Sequence, residues 1–458
     1  MIDANDGKKA PFLALAAFAS ETRINRLPGP IREKARACLL YGIAVALAST
    51  KAEEPACVAR FLDRRAATGG ARRILDGKPM PAGEAALANA VLFHLRVQDD
   101  AHACGHFGAV VLPSALAVAE ETGASGAALL AAVVAGYEVA LRIGRDHGAA
   151  ISRRGFRTTP VYGVFGAAAA AGRLFGLDAP RMANALSLAA NFAGGLRAFV
   201  ASGTSEYVIE AGFAARNGID AAGLADEGMV ATADALDGEA GFFRAFAGDD
   251  ADHGRRLTAD LGIVFEMDAV TYKPYPICQF HRGIVRGIAD LRQQAEGAAP
   301  DAIEIRMHPF EANFVGVRHA GPVTRRAQAF MSAPCLAAIA WHAGTVTFQA
   351  LQDFDNARFG ETMARVRVIA DESRDRYEPA IRVALADGRT LEWKEAEGEG
   401  AYNLTWESAV DGAGRLAEEA GIPVSALAPL IDAVATVEDA PSIKPLMDRV
   451  RALAQAAK

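Results

Sequence analysis

The sequence predicts a mainly α protein in which a large all-helical domain, discontinuous in the chain, accompanies a smaller α+β domain. Three observations carry that prediction. The chain has 458 residues, beyond the roughly 250 to 300 at which a single hydrophobic core usually stops growing, so two domains are expected. From about Pro28 to Phe246 it is alanine-rich and almost devoid of strand-like alternation. After Glu266 apolar and polar residues begin to alternate, and from about Glu407 helical patterning returns.

In chain order, "IREKARACLLYGIAVALAS", "GEAALANAVLFHL", "GAALLAAVVAGYEVALRIG", "GVFGAAAAAGRLFG", "RMANALSLAANFAGGL" and "EAGFAARNGIDAAGLA" predict helices, since alanine and leucine lose little side-chain freedom there. Gly163, Gly166 and Ala170 recur at helical spacing, and such small residues predict close helix packing. "HRGIVRGIADLRQQA" is a helix candidate ahead of the strand-like "AIEIRMHPF"; "APCLAAIAWHAG" is another, ahead of "RVRVIA". In "AIRVALADGRTLEW" the Asp387-Gly388 step is a turn signal between two strand-like runs. "ESAVDGAGRLAEEAG", "VSALAPLIDAVAT" and "SIKPLMDRVRALAQA" revert to helices. The expected division is a helical domain over residues 1–266, an α+β domain over 267–400 and a return to the helical domain over 401–458.

Composition narrows the function class. Hydrophobic residues make up 51% and charged residues 22%, ordinary for a soluble globular protein. The net charge is −7 and no Lys/Arg run exceeds two residues, which argues against a nucleic-acid partner. The five cysteines are scattered and form no C-x-x-C pair, reading as reduced cytosolic thiols. The N-terminal stretch "MIDANDGKKAPFLALAAFAS" lacks the build of a secretory signal. The most apolar later run is interrupted by Glu138 and falls short of the roughly 20 residues a membrane span needs. A cytoplasmic protein with no membrane partner is expected.

The stretch "VQDDAHACGHFGAVVLP", from Val97, gathers Asp99, Asp100, His102, Cys104 and His106. It lies between a helix ending near His94 and the helical run "LPSALAVAEETG", with Pro113 in that run's first turn. The loop is therefore aimed at a helix N-terminus, where free backbone N–H groups would suit a substrate carboxylate. His102 and His106 are four apart and on a helix would share a face, with Asp99 and Asp100 as oxygen donors to a metal. Gly105 and the lack of a glutamate inside H-x-x-x-H oppose that reading, and no metal or other cofactor is assigned. On the residues alone, His106 is either an acid/base group or a cap on the following helix.

The runs "FGAVVLPSALAVAEETGASGAALLAAVVAGYEVALRIG", "RGFRTTPVYGVFGAAAAAGRLFGLD", "AGFAARNGIDAAGLA" and "YKPYPICQFHRGI" together resemble the MmgE/PrpD family, which includes 2-methylcitrate dehydratase, cis-aconitate decarboxylase and iminodisuccinate epimerase. The resemblance runs in order from about Leu87 to Leu291 and more loosely beyond. It implies an all-helical domain with a lid-like α+β domain, a homodimer, and a cofactor-free site in the cleft between domains. The shared chemistry is proton movement at carbon next to a carboxylate, which needs a base and cations to stabilise the enolate-like charge. The family's loop histidine falls on His106 and the lysine of its K-P-Y-P motif on Lys273.

Elsewhere the sequence departs from the family's pattern. The signature similar to D-F-D-D-T reads Val97, Gln98, Asp99, Asp100, Ala101, so its first carboxylate and its threonine are gone. The G-F/W-H segment reads Gly155, Phe156, Arg157; the lysine of T-K-P falls on Glu206 or Tyr207; and a tyrosine of the small domain is lost near Pro334. The resemblance implies catalytic roles for His106, Lys273 and Asp100, and substrate binding by Asp99, Arg157 and Tyr207. His281 and Gln279, after the "YP" turn, are expected at the surface. The expected function is a lyase acting on a small di- or tricarboxylate. The alternatives are an epimerase using the same intermediate and a non-catalytic carboxylate-binding homologue.

Overall fold

The structure, a computed structural model, describes residues 6–65, 68–248 and 254–457. The first five residues of the stretch read for a secretory signal lie outside the described residues. The architecture is mainly α with a small mixed sheet, as the two sequence textures predict. The helices that build the site are α1 (Gly29–Ala48), α2 (Ala82–His94), α3 (Gly108–Thr122), α4 (Gly126–Gly144), α5 (Thr158–Phe175) and α6 (Tyr207–Asp226). α5 packs against α3, α4 and α6, and α6 also packs against α2.

Small residues set these distances. A Cβ added at Gly166 of α5 would lie 2.7 Å from the Gly136 carbonyl oxygen of α4, and one at Gly218 of α6 would lie 2.7 Å from that of Val164. The glycines thus put backbone on backbone. α4 starts on the Ser125 hydroxyl, which accepts from the Ala128 N–H at 3.2 Å. By length and composition α4 could cross a membrane, yet 89% of its apolar window is buried within the protein. Its Glu138 accepts from Arg142 at 3.1 Å and from the Met267 N–H at 2.8 Å, so the charge that interrupts the apolar run is paired inside the core.

The sheet holds β1 (Pro300–Met307), β2 (Val366–Ala370), β3 (Ala380–Leu385) and β4 (Thr390–Lys394) in the order β2-β1-β3-β4. β1 pairs parallel with β2 and antiparallel with β3. Asp387 and Gly388 turn β3 into β4, Gly388 taking φ +89°, a conformation that glycine adopts without a Cβ penalty. α7 (Arg282–Gln294) lies on β3 and β4, and α8 (Ala333–Ala343) packs against α7 and β2. Beyond the sheet, α9 (Trp406–Ala420) opens with a capping box between Thr405 and Ser408 and packs on α1. The chain's last quarter is thus tied to its first helices.

One helix boundary differs from the sequence reading. α3 begins at Gly108, so Pro113 is inside the helix rather than in its first turn. The earlier start is fixed through space: the Asp100 carboxylate accepts from the Gly108 N–H at 3.1 Å, a cap that no local pattern signals.

Candidate active site

Two segments far apart in sequence are stitched together at the site. The Ala101 N–H donates to the Thr271 carbonyl and the Thr271 N–H to that of Ala101, each at 2.8 Å. The Gln98 side chain donates to the Pro274 carbonyl at 3.0 Å, and the Tyr41 hydroxyl to that of Lys273 at 2.6 Å. The acidic loop and the "YKPYP" turn therefore share one wall. His102 and Gly105 close a tight turn by reciprocal backbone bonds of 2.9 and 3.1 Å. His102 and His106 thus do not share a helix face, and the metal geometry considered from their spacing is absent.

Asp99 is the hub. Its Oδ2 accepts from His94 Nδ1 at 2.7 Å and its Oδ1 lies 3.1 Å from Lys273 Nζ, with all three side chains buried. Burial pushes the Asp99 carboxyl up, but Lys273, His94 and His106 together hold it well below the usual carboxylate range. Lys273 is lowered by burial, an effect Asp99 opposes. Its Nζ makes no aligned hydrogen bond among the described residues, so its charge is balanced by position alone. His94 is held at about 4 by burial, so its ring is neutral; with Nδ1 donating to Asp99, Nε2 accepts from Arg157 Nη2.

His106 faces the cleft at this hub. Its Nδ1 lies 3.2 Å from the Asp100 carbonyl oxygen, which can only accept, so Nδ1 carries the proton and Nε2 the lone pair. Burial, then the Lys273 charge, holds this imidazole well below its ordinary value, so it rests neutral. The Asp100 side chain turns away from the cleft, bonded to the Tyr137 hydroxyl and to the N-terminus of α3. Burial pushes it to about 7, with Tyr137 opposing the shift. The helix N-terminus offered above to a substrate anion is therefore taken by the protein's own carboxylate.

Arg157 and Tyr207 line the cleft, whereas Glu206 is exposed. Much of the Arg157 guanidinium is engaged: Nη1 donates to the Tyr207 carbonyl at 2.7 Å and to Glu210 at 3.1 Å, and Nη2 to His94. The Tyr207 hydroxyl donates to the Leu95 carbonyl at 2.8 Å. Gln279 and His281 correct the sequence reading. Both are buried, because their turn runs straight into the inward face of α7. His281 Nε2 donates to the Met331 carbonyl at 3.0 Å, and Gln279 lines the cleft while donating to the Tyr377 hydroxyl at 3.0 Å.

Sequence reasoning missed His94 and Glu210. Nothing in the sequence separates His94, the last residue of α2, from a core histidine; only its five-residue offset from Asp99 hints at their contact. Glu210 is one helical turn beyond Tyr207, a spacing that puts it on the same face of α6.

A family profile described as the MmgE/PrpD N-terminal domain matches residues 13–253. The chain is 28% identical over 318 residues to a cis-aconitate decarboxylase of Aspergillus terreus, covering 66% of this chain and 62% of that protein. It is 31% identical over 239 residues to a cis-aconitate decarboxylase-like protein of Aspergillus oryzae, covering 50% and 49%. It is 35% identical over 176 residues to a human cis-aconitate decarboxylase, covering 37% and 36%. The matched region spans between about a third and two thirds of these relatives' lengths.

Proposed function

Because the chain belongs to the MmgE/PrpD family, we propose that it is a cofactor-independent lyase that takes a proton from the carbon beside a carboxylate of a di- or tricarboxylate. The observation that carries this reading is the state of His106: a neutral ring, its Nδ1 proton held by the Asp100 carbonyl and its Nε2 lone pair free on a cleft wall. That is a resting general base.

In the dehydration form, His106 Nε2 takes the α-proton and the C–H electron pair becomes an enolate spread over the neighbouring carboxylate. The pair then forms a carbon–carbon double bond as hydroxide leaves the next carbon and, with the proton from His106, departs as water. The buried Lys273 ammonium, behind the cleft wall rather than on it, offsets the developing charge at a distance, where low dielectric makes a fixed cation effective. Asp99 holds that ammonium and, through His94, the Arg157 side chain, which is a positioning role. Decarboxylation would begin with loss of carbon dioxide and would require a proton donor at the resulting carbanion. A neutral His106 suits abstraction as the first step, which favours dehydration; epimerisation shares that step and differs in where the proton returns.

The test is α-proton exchange. Polycarboxylates incubated with the enzyme in heavy water should gain deuterium beside a carboxylate, read by NMR. His106→Ala should lower exchange at least about a hundredfold, the usual scale for a general base, with an unchanged urea midpoint. Full exchange by that variant would remove His106 from the mechanism.

A further inference from the structure

The cleft that His106 faces carries a group of aromatic rings on its wall. Among the described residues Phe156 and Phe199 line it from one side, and Phe280, Phe310, Phe314 and Phe330 from the segment that carries the sheet. Phe280 meets Phe314 edge-on at 5.2 Å and Phe310 edge-on at 6.1 Å between centroids, so these three form one cluster. Phe310 is 37% exposed. Val97, where the family's pattern has a carboxylate, adds an isopropyl group to the wall and takes φ +52°. That conformation is an outlier for a β-branched residue and marks a position held by its surroundings. A cleft of this kind gains from a ligand with an apolar body, because binding removes ring surface from water.

The charges set the rest of the occupant. Among the described residues three arginines line the cleft: Arg157, Arg197 and Arg376. Arg157 is paired with Glu210 at 3.1 Å and Arg376 with Glu311 at 2.9 Å. Arg197 lies 4.7 Å over the Phe314 ring and has no carboxylate partner among the described residues. A small tricarboxylate would bring three charges to one arginine without a carboxylate partner, with the neutral donors Ser152, Thr158, Thr159 and Gln279 besides and six phenylalanines in the same lining, so part of its charge would be desolvated without a cation. A substituted dicarboxylate matches the wall better, with one carboxylate beside His106, the other at Arg197 and its substituent on the rings.

Resting on the lyase reading and narrowing it, we infer that the substrate is an alkyl- or aryl-substituted dicarboxylate whose apolar group lies on the Phe280, Phe310 and Phe314 cluster. Calorimetric titration of the full chain with succinate, tricarballylate and 2-benzylsuccinate tests this. 2-Benzylsuccinate should bind at least about tenfold more tightly than either other probe, the low end of what a filled apolar subsite contributes. Phe310→Ala, at a partly exposed ring, should reduce that preference severalfold and leave succinate binding unchanged. Equal or tighter binding of succinate or tricarballylate, a preference indifferent to Phe310→Ala, or no binding of any probe would each overturn the inference. Deuterium exchange on the same probes separates it from the lyase reading. A benzylsuccinate preference without exchange into any probe would sink the lyase reading and uphold the pocket; exchange into tricarballylate with no preference would do the reverse.

Discussion

Replacing Asp99 by asparagine keeps the shape of the hub and removes its charge. The Lys273 ammonium, fully buried and 3.1 Å from Asp99 Oδ1, then has no anionic partner among the described residues. Breaking a buried pair from one side typically costs about 3 to 5 kcal/mol. Here the cost has a ceiling, since the lysine escapes by giving up its proton. Taking a group of ordinary pKa about 10.4 to neutral at pH 7 costs roughly 4 to 5 kcal/mol. Lys273 already lies below that ordinary value in the native protein, so the parent already bears part of that cost and the loss should stay below about 5 kcal/mol.

The same escape gives the loss a pH dependence that a packing defect lacks. In the variant the native lysine is neutral while the unfolded chain keeps it protonated, so variant stability rises with pH. The gap to the parent should therefore shrink by about 1.4 kcal/mol per unit as pH goes from 7 toward the native Lys273 value. Urea unfolding of both proteins at pH 7, 8 and 9, with equal m-values, measures it. Adding Lys273→Met to Asp99→Asn should restore most of the stability at pH 7, because no buried charge is then stranded. A loss under about 1 kcal/mol, or one indifferent to pH, would show that the two side chains are not a buried ion pair.

Two further outcomes concern the scaffold. Gly166→Ala would drive a Cβ to 2.7 Å from the Gly136 carbonyl oxygen, a contact between two rigid helix backbones, and should cost about 1 to 3 kcal/mol or more in urea unfolding; a neutral substitution would mean that α4 and α5 do not cross there. His94 and His281, both held at about 4 chiefly by burial, take up protons in the unfolded chain that the native chain refuses, so stability should fall as pH drops from 6.5 to 4. Asp100, at about 7, acts with the opposite sign over that range, so Asp100→Asn should steepen the fall, and a midpoint that rises toward pH 4 would refute the assignment of neutral buried histidines.

The helices and the sheet were legible because their signals are local. Alanine-rich runs, the Asp387-Gly388 turn and the alternation of "AIEIRM" need no tertiary information, and the structure places elements on each of them. The start of α3 was not legible, since its cap comes from the Asp100 carboxylate, eight residues upstream, across a folded loop. The burial of His281 was hidden for a similar reason: a polar turn beside two prolines reads as surface until the inward face of α7 is known.

The site was legible in its parts but not in its charge balance. His106, Lys273 and Asp99 could be singled out from two short motifs, yet the pairing of Asp99 with Lys273 needs the strand-like contact between Ala101 and Thr271. Arg157 stands in the sequence as a free cation; in the fold Glu210 and His94 claim it. Three of the positions where the sequence leaves the family's pattern share a location that the sequence does not disclose. Val97, Arg157 and Tyr207 line the cleft, as does His106, which fits the pattern; Asp99 and Lys273, which also fit it, are buried outside that lining, and so are the departures at Ala101 and Pro334. On the proposed lyase reading, substitution at these three wall positions would change which molecule is held while leaving His106 and the charges around it in place. On that reading the departures at Val97, Arg157 and Tyr207 bear on substrate choice, in the direction of the apolar substituent proposed for the phenylalanine cluster.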